Sequence, residues 1–105
     1  MYKKAMGALR SLGEVGRLGS MASTMYYVYM LRSISHPTQR YVGFTEDLKT
    51  RLQDHNDGKN VSTKPCKPWS LETYLAFSSK KQALAFESYL KTGSGFAFAN
   101  KRLWT

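Results

Sequence analysis

The clearest apolar pattern in the chain is the run Tyr26-Tyr27-Val28-Tyr29-Met30-Leu31. It is aromatic and β-branched, which predicts a strand. Alternation would put Tyr27, Tyr29 and Leu31 on one face. Residues 33–38 contain His36-Pro37 and read as a turn. The run Gln39-Arg40-Tyr41-Val42-Gly43-Phe44 predicts a second strand that pairs back as a hairpin, which could bring Tyr29 and Tyr41 together. Gly43 near its end suggests a bulge or the close approach of another backbone. The period then changes. Leu48, Arg51, Leu52 and His55 recur at helical spacing and share one face. Thr45 is the expected N-cap, with Glu46 and Asp47 at the positive end of the helix dipole. Gly58 is the expected stop. Residues 59–70 form a basic loop with Lys59, Lys64 and Lys67, bracketed by Pro65 and Pro68. Leu71 to Phe77 predicts a third strand. Ser79 with Gln82 makes a capping box that opens a helix running to about Lys91. Gly93 and Gly95 are expected to end it, and Phe96 to Leu103 to form a short last helix.

Residues 1–24 carry a different pattern. Gly7, Gly13, Gly16 and Gly19 interrupt a weak repeat of Leu9, Leu12, Val15 and Leu18. Glycine at that density opposes a stable helix. The segment is expected to be an extension outside the core, with residues 25–105 as one domain. A targeting role competes with that reading, although no secretory h-region is evident.

The chain has 105 residues, so a single small domain, two layers deep at most, is the expectation from size. Lys and Arg number 16 against 7 acids, a net charge of +9. Removing residues 1–24 takes away four bases and one acid and leaves +6, so the domain itself is basic. That balance favours a polyanionic partner, nucleic acid before an anionic membrane surface. A lone cysteine, Cys66, rules out an internal disulfide and a cysteine-based zinc site. No apolar run is long enough to span a bilayer. A cytoplasmic monomer or weak dimer without a small-molecule cofactor is expected.

Several side chains carry candidate chemistry. Arg51 lies between Leu48 and Leu52 on the apolar side of its helix, where a guanidinium is costly unless it meets an anion. Its planar fork suits two phosphate oxygens, and a snorkelling arginine is the competing reading. His55, one turn later, can exchange a proton with the same ligand. Tyr29 and Tyr41 can handle protons only where a neighbour takes the proton onward, and strand aromatics are commonly core. Glu87 is the only acid between Glu72 and the C-terminus. In the apolar stretch Ala83 to Leu90 it calls for a cation, either Mg2+ or a partner such as Arg51, Lys80 or Lys91. The basic loop could follow a phosphate backbone through Lys64 and Lys67, with Trp69 stacking on a base. Arg40 and Asn100 join these as candidate nucleic-acid contacts.

In this order, Tyr27-Val28-Tyr29, Tyr41-Val42-Gly43, Arg51, His55 and Glu87 resemble a GIY-YIG endonuclease domain. The resemblance covers roughly residues 25–103 and is nearest to the small stand-alone bacterial members. It implies an α/β sandwich, in the α+β sense: a three-stranded antiparallel sheet flanked by helices in the order β-β-α-β-α-(α). It also implies that Tyr29, Tyr41, Arg51, His55 and Glu87 are catalytic. Arg51 would hold the scissile phosphate, and Glu87 would hold a single Mg2+ or Mn2+ ion. Departures are present. Tyr27-Val28 replaces the glycine and isoleucine of the first motif, and Val42 replaces the isoleucine of the second. Phe44 stands where some members keep a lysine, for which Lys64 is a candidate substitute. Asn100 is the nearest counterpart of an asparagine that several members carry after the glutamate. The implied activity is metal-dependent hydrolysis of DNA, single-stranded or structured, in repair, recombination or processing. A non-catalytic nucleic-acid-binding module is the main rival, and an accessory domain for an acidic protein partner is a second.

Overall fold

A computed structural model describes residues 24–104. The expected extension therefore lies, apart from Thr24, outside the described residues. Strand β1 spans Tyr26–Ser33 and β2 spans Arg40–Thr45. Helix α1 follows at Leu48–Asn56, then a single 3-10 turn at Lys64–Cys66. Strand β3 is Trp69–Phe77, helix α2 is Lys80–Leu90 and helix α3 is Gly93–Arg102. The strands form one antiparallel sheet in the order β2-β1-β3.

The central position of β1 explains why its sequence is apolar throughout rather than alternating. Tyr29 and Leu31 face a core built with Leu48, Trp69 and Leu71. Val28 and Met30 face a second core with Ala83, Leu90, Ala99 and Trp104. With α1 on one face and α2 and α3 on the other, the molecule has three layers. Two layers were expected from length alone. A strand buried on both faces, with short helices against each, supplies the extra layer within a small chain.

Local details refine the expected boundaries. Asp47, not Thr45, caps α1: its carboxylate accepts from the Thr50 backbone N–H at 3.1 Å and the Thr50 hydroxyl at 2.8 Å. Thr45 ends β2, and its hydroxyl oxygen accepts from the Asp47 N–H at 3.0 Å. Gly58 follows the end of α1 with a φ of +76°, the left-handed geometry that favours glycine. Ser79 caps α2 as expected, accepting from the Gln82 N–H. Gly93 and Gly95 do not terminate α2 but lie in the first turn of α3, which Thr92 caps by accepting from the Gly95 N–H at 3.1 Å. The irregularity expected at Gly43 falls elsewhere, between Met30 and Leu31 where β1 meets β3.

Candidate active site

Three elements bring the candidate residues to one place. Tyr29 comes from the central strand, Tyr41 from the edge strand and His55 from the last turn of α1. Tyr29 pairs across the sheet with Gly43, and Tyr41 with Leu31, so the two tyrosines are diagonal neighbours with ring centroids 6.2 Å apart. His55 packs edge-on against Tyr41 at 4.9 Å and lies 5.8 Å from the Tyr29 ring.

Gly43 makes this arrangement possible. A Cβ there would overlap the hydroxyl end of the Tyr29 ring. The close approach that Gly43 suggests is therefore to a side chain rather than to another backbone.

His55 is completely buried, and both ring nitrogens have partners. Nε2 lies 2.9 Å from the Tyr29 hydroxyl, and Nδ1 lies 2.7 Å from the Thr63 hydroxyl. Burial and the neighbouring Arg51 guanidinium hold the imidazole below its ordinary value of 6.5, against a smaller opposing effect from Asp54. The Tyr29 phenol is pushed well above its ordinary value, chiefly by burial and then by Tyr41. The Arg51 guanidinium pulls it back, while the Glu87 carboxylate pushes it up. Tyr29 is thus a neutral phenol with a hydrogen-bonded imidazole beside it.

Arg51 is half-buried, one turn before His55, and borders an open groove with Asp54, Lys59, Asn60 and Val61. Lys59 pairs with Asp54 at 3.6 Å. Lys64 and Lys67 are exposed on the segment that follows. Glu87 projects from α2 in the opposite layer, and its charge is felt at the Tyr29 hydroxyl. Its ion pair among the described residues is with Lys91, at 3.2 Å within the same helix. Among the described residues no group of three or more His, Cys, Asp or Glu side chains could hold a metal ion. Any ion at Glu87 would rest on one protein carboxylate, with water and substrate oxygens completing its shell.

One expected nucleic-acid contact, Trp69, is corrected, and a second, Arg40, is engaged within the fold. Trp69 is 4% exposed and fills the core beneath the basic loop, its indole N–H donating to the Thr63 carbonyl at 2.9 Å. It has no ring face left to stack on a base. Arg40 donates from Nε to Glu72 at 3.2 Å and lies 5.0 Å over the Trp104 ring. Strand alternation puts it with Val42 and Phe44, on the face opposite Tyr41 and Gly43. Asn100 is exposed on α3, without a hydrogen bond to the tyrosines, Arg51, His55 or Glu87 among the described residues.

Thr63 and Asn56 gave no sequence signal. Thr63 sits in an irregular polar loop without periodicity, and only folding carries it to His55. Asn56 follows His55 and clamps α1 to β3: its amide donates to the Trp69 carbonyl at 3.0 Å, and its oxygen accepts from the Trp69 N–H.

Residues 25–101 match the family model described as the GIY-YIG catalytic domain. A UPF0213 protein of Streptococcus pyogenes serotype M3 is 38% identical over 72 residues, covering 68% of this chain and 76% of that protein. A structure-specific endonuclease subunit SLX1 of Malassezia globosa is 39% identical over 67 residues, 60% of this chain and 15% of that protein. Its counterpart from Candida dubliniensis is 36% identical over 78 residues, 68% of this chain and 27% of that protein. The chain thus spans 76% of the streptococcal protein but only 15% and 27% of the two fungal subunits. By the match over residues 25–101, this chain belongs to the GIY-YIG family and carries its catalytic domain.

Proposed function

We propose that this protein is a divalent-metal-dependent endonuclease that hydrolyses phosphodiester bonds of DNA. The observation that carries the reading is the convergence of Tyr29, His55 and Arg51 within the reach of the Glu87 charge. Arg51 neutralises charge that develops on the non-bridging oxygens of the scissile phosphate. Tyr29 takes a proton from the attacking water as it passes its own proton to His55 Nε2, so no free phenolate is needed. The phosphate then gains the water oxygen and releases the sugar oxygen. The Glu87 carboxylate fits a divalent ion, because its one pairing among the described residues is with a lysine that is itself 55% exposed on the side chain and easily displaced. When bound, Mg2+ or Mn2+ supplies Lewis-acid stabilisation of the leaving oxygen.

Structured DNA is the favoured substrate. The fungal relatives are named structure-specific endonuclease subunits, and burial of Trp69 removes the stacking residue that favoured unpaired bases. A role in DNA repair or recombination follows from that substrate class. No helix among the described residues is long and apolar enough to cross a membrane.

The test is a cleavage panel of duplex, single-stranded and branched DNA and RNA, with Mg2+, with Mn2+ and with chelator. Glu87→Gln and Arg51→Ala are run alongside. Branched DNA should be cut fastest, chelator should stop cleavage, and both variants should lose it. Failure to cut any DNA with either ion, alongside salt-sensitive binding, would leave a non-catalytic binding module as the function.

A further inference from the structure

Thr63 is a buried polar residue, 2% exposed, at the inner bend of the basic loop. Its backbone is fixed twice. The N–H donates to the Asn60 carbonyl at 3.2 Å, and the carbonyl accepts from the Trp69 indole at 2.9 Å. Its hydroxyl is thereby aimed at His55, 2.7 Å from Nδ1 and 3.4 Å from the Asn60 carbonyl oxygen.

Proton counting gives this chain of contacts a direction. The Asn60 carbonyl oxygen, 3.4 Å away, is an acceptor within reach of the single Thr63 hydroxyl proton. With that proton on Asn60, the Thr63 oxygen accepts from His55, which places the imidazole proton on Nδ1. A neutral imidazole has one N–H, so Nε2 is left as a bare acceptor. Nε2 lies 2.9 Å from the Tyr29 hydroxyl, which becomes the donor. We propose that Thr63 is a positioning residue that fixes the Nδ1–H tautomer of His55, so that Nε2 is poised to take the Tyr29 proton. When it does, the imidazolium carries protons on both nitrogens, and the Nδ1–H bond to Thr63 remains in place.

This links the loop to the chemistry. Asn60, whose carbonyl orients Thr63, also lines the groove beside Arg51. Its side chain is held by Ser62, whose N–H and hydroxyl donate to it at 3.0 and 2.7 Å. A displaced loop would therefore disturb the phosphate groove and the histidine tautomer together. The consequence for cleavage rests on the endonuclease reading, but the tautomer is a property of the folded protein and can be measured without substrate.

The experiment is nitrogen-15 NMR of the His55 ring in the full chain, paired with single-turnover cleavage of branched DNA. In the unmodified protein at neutral pH, Nδ1 should carry the proton and Nε2 should show the shift of an unprotonated nitrogen. The reverse assignment overturns the proposal whatever the cleavage result. Thr63→Val keeps the shape and removes the hydroxyl. It should mix the tautomers and lower kcat by about 10- to 100-fold, the range for outer partners that orient a histidine, with little change in KM. Thr63→Ser should restore both the tautomer and most of the rate. A folded Thr63→Val protein with an unchanged Nδ1–H signature would overturn the role of Thr63. If the valine variant does not fold, the unmodified and serine proteins decide the question by the same signature. If none of these proteins cleaves DNA but the Nδ1–H signature is present and lost in Thr63→Val, the endonuclease reading fails and the positioning role stands.

Discussion

The Tyr29 hydroxyl lies 2.9 Å from His55 Nε2 in a setting where both side chains are buried, Tyr29 at 1% and His55 at 0% exposure. Neither group is charged there. Proton transfer between them is short and shielded from bulk water, and Arg51 sets the local potential.

The first prediction is that Tyr29→Phe cuts cleavage by about 10²- to 10⁴-fold, the range for loss of a positioned proton-transfer group. It also leaves His55 Nε2 buried without a partner, at a cost of about 1–3 kcal/mol. Tyr41→Phe should cost less on both counts, since the Tyr41 hydroxyl has no hydrogen-bond partner among the described residues. Urea unfolding and single-turnover cleavage measure the two effects. A larger loss of activity in Tyr41→Phe would transfer the proton-handling role to that residue.

A second prediction concerns pH. The His55 imidazole titrates below 6.5 in the folded protein, because burial and Arg51 both disfavour its charge. The unfolded chain takes up that proton near 6.5, so the stabilisation is complete above 6.5 and is lost as pH falls through the folded value. Cleavage should decline on the same acid side, with an apparent pKa below 6.5, because a charged ring cannot accept the Tyr29 proton. Thermal melts from about pH 8 to about pH 5 should show a steeper loss in the unmodified protein than in His55→Gln. Parallel curves would remove His55 as the source.

Gly43→Ala should damage the site although the residue carries no chemistry. The added methyl meets the Tyr29 ring, so the ring must move away from His55. Overpacking of this kind costs about 1–3 kcal/mol, and cleavage should fall with it. Gly93→Ala is the control: a Cβ there has nothing within 4 Å and should stabilise α3 by about 0.5–1 kcal/mol. Comparable behaviour of the two variants in unfolding and cleavage would sink the steric account.

The last prediction separates structure from binding. The Glu72 side chain is 2% exposed and is shared by Arg40 at 3.2 Å and Arg32 at 3.7 Å. Glu72→Ala leaves those arginines facing each other. Because they are partly exposed, the cost should be about 1–3 kcal/mol rather than that of a fully buried pair. Arg40→Ala should likewise lower stability. It should leave the salt dependence of DNA binding nearly unchanged, whereas loss of a phosphate contact lowers the slope by about 1. A slope change of that size would return Arg40 to the nucleic-acid interface.

By itself the sequence determined the element order and supplied the candidate reactive groups. Strand β1 is legible because β-branched and aromatic residues suit an extended chain. Helix α1 is legible because Leu48, Leu52 and His55 repeat at its period, and its end because Gly58 adopts a positive φ. The tertiary structure alone decided which polar groups face one another. Arg40 and Tyr41 are neighbours in the chain, yet the pleat sends one to Glu72 and Trp104 and the other to His55. Trp69 looked like a loop aromatic until β3 was seen to begin with it and the loop closed over its ring. Thr63 has no periodic mark at all. Its role depends on a loop path fixed by Asn60 and Trp69, contacts that local sequence preference does not encode. Periodicity reports which residues share a face, because it follows from backbone geometry. Hydrogen-bond pairing across layers depends on how the faces are stacked, and only the folded chain sets that.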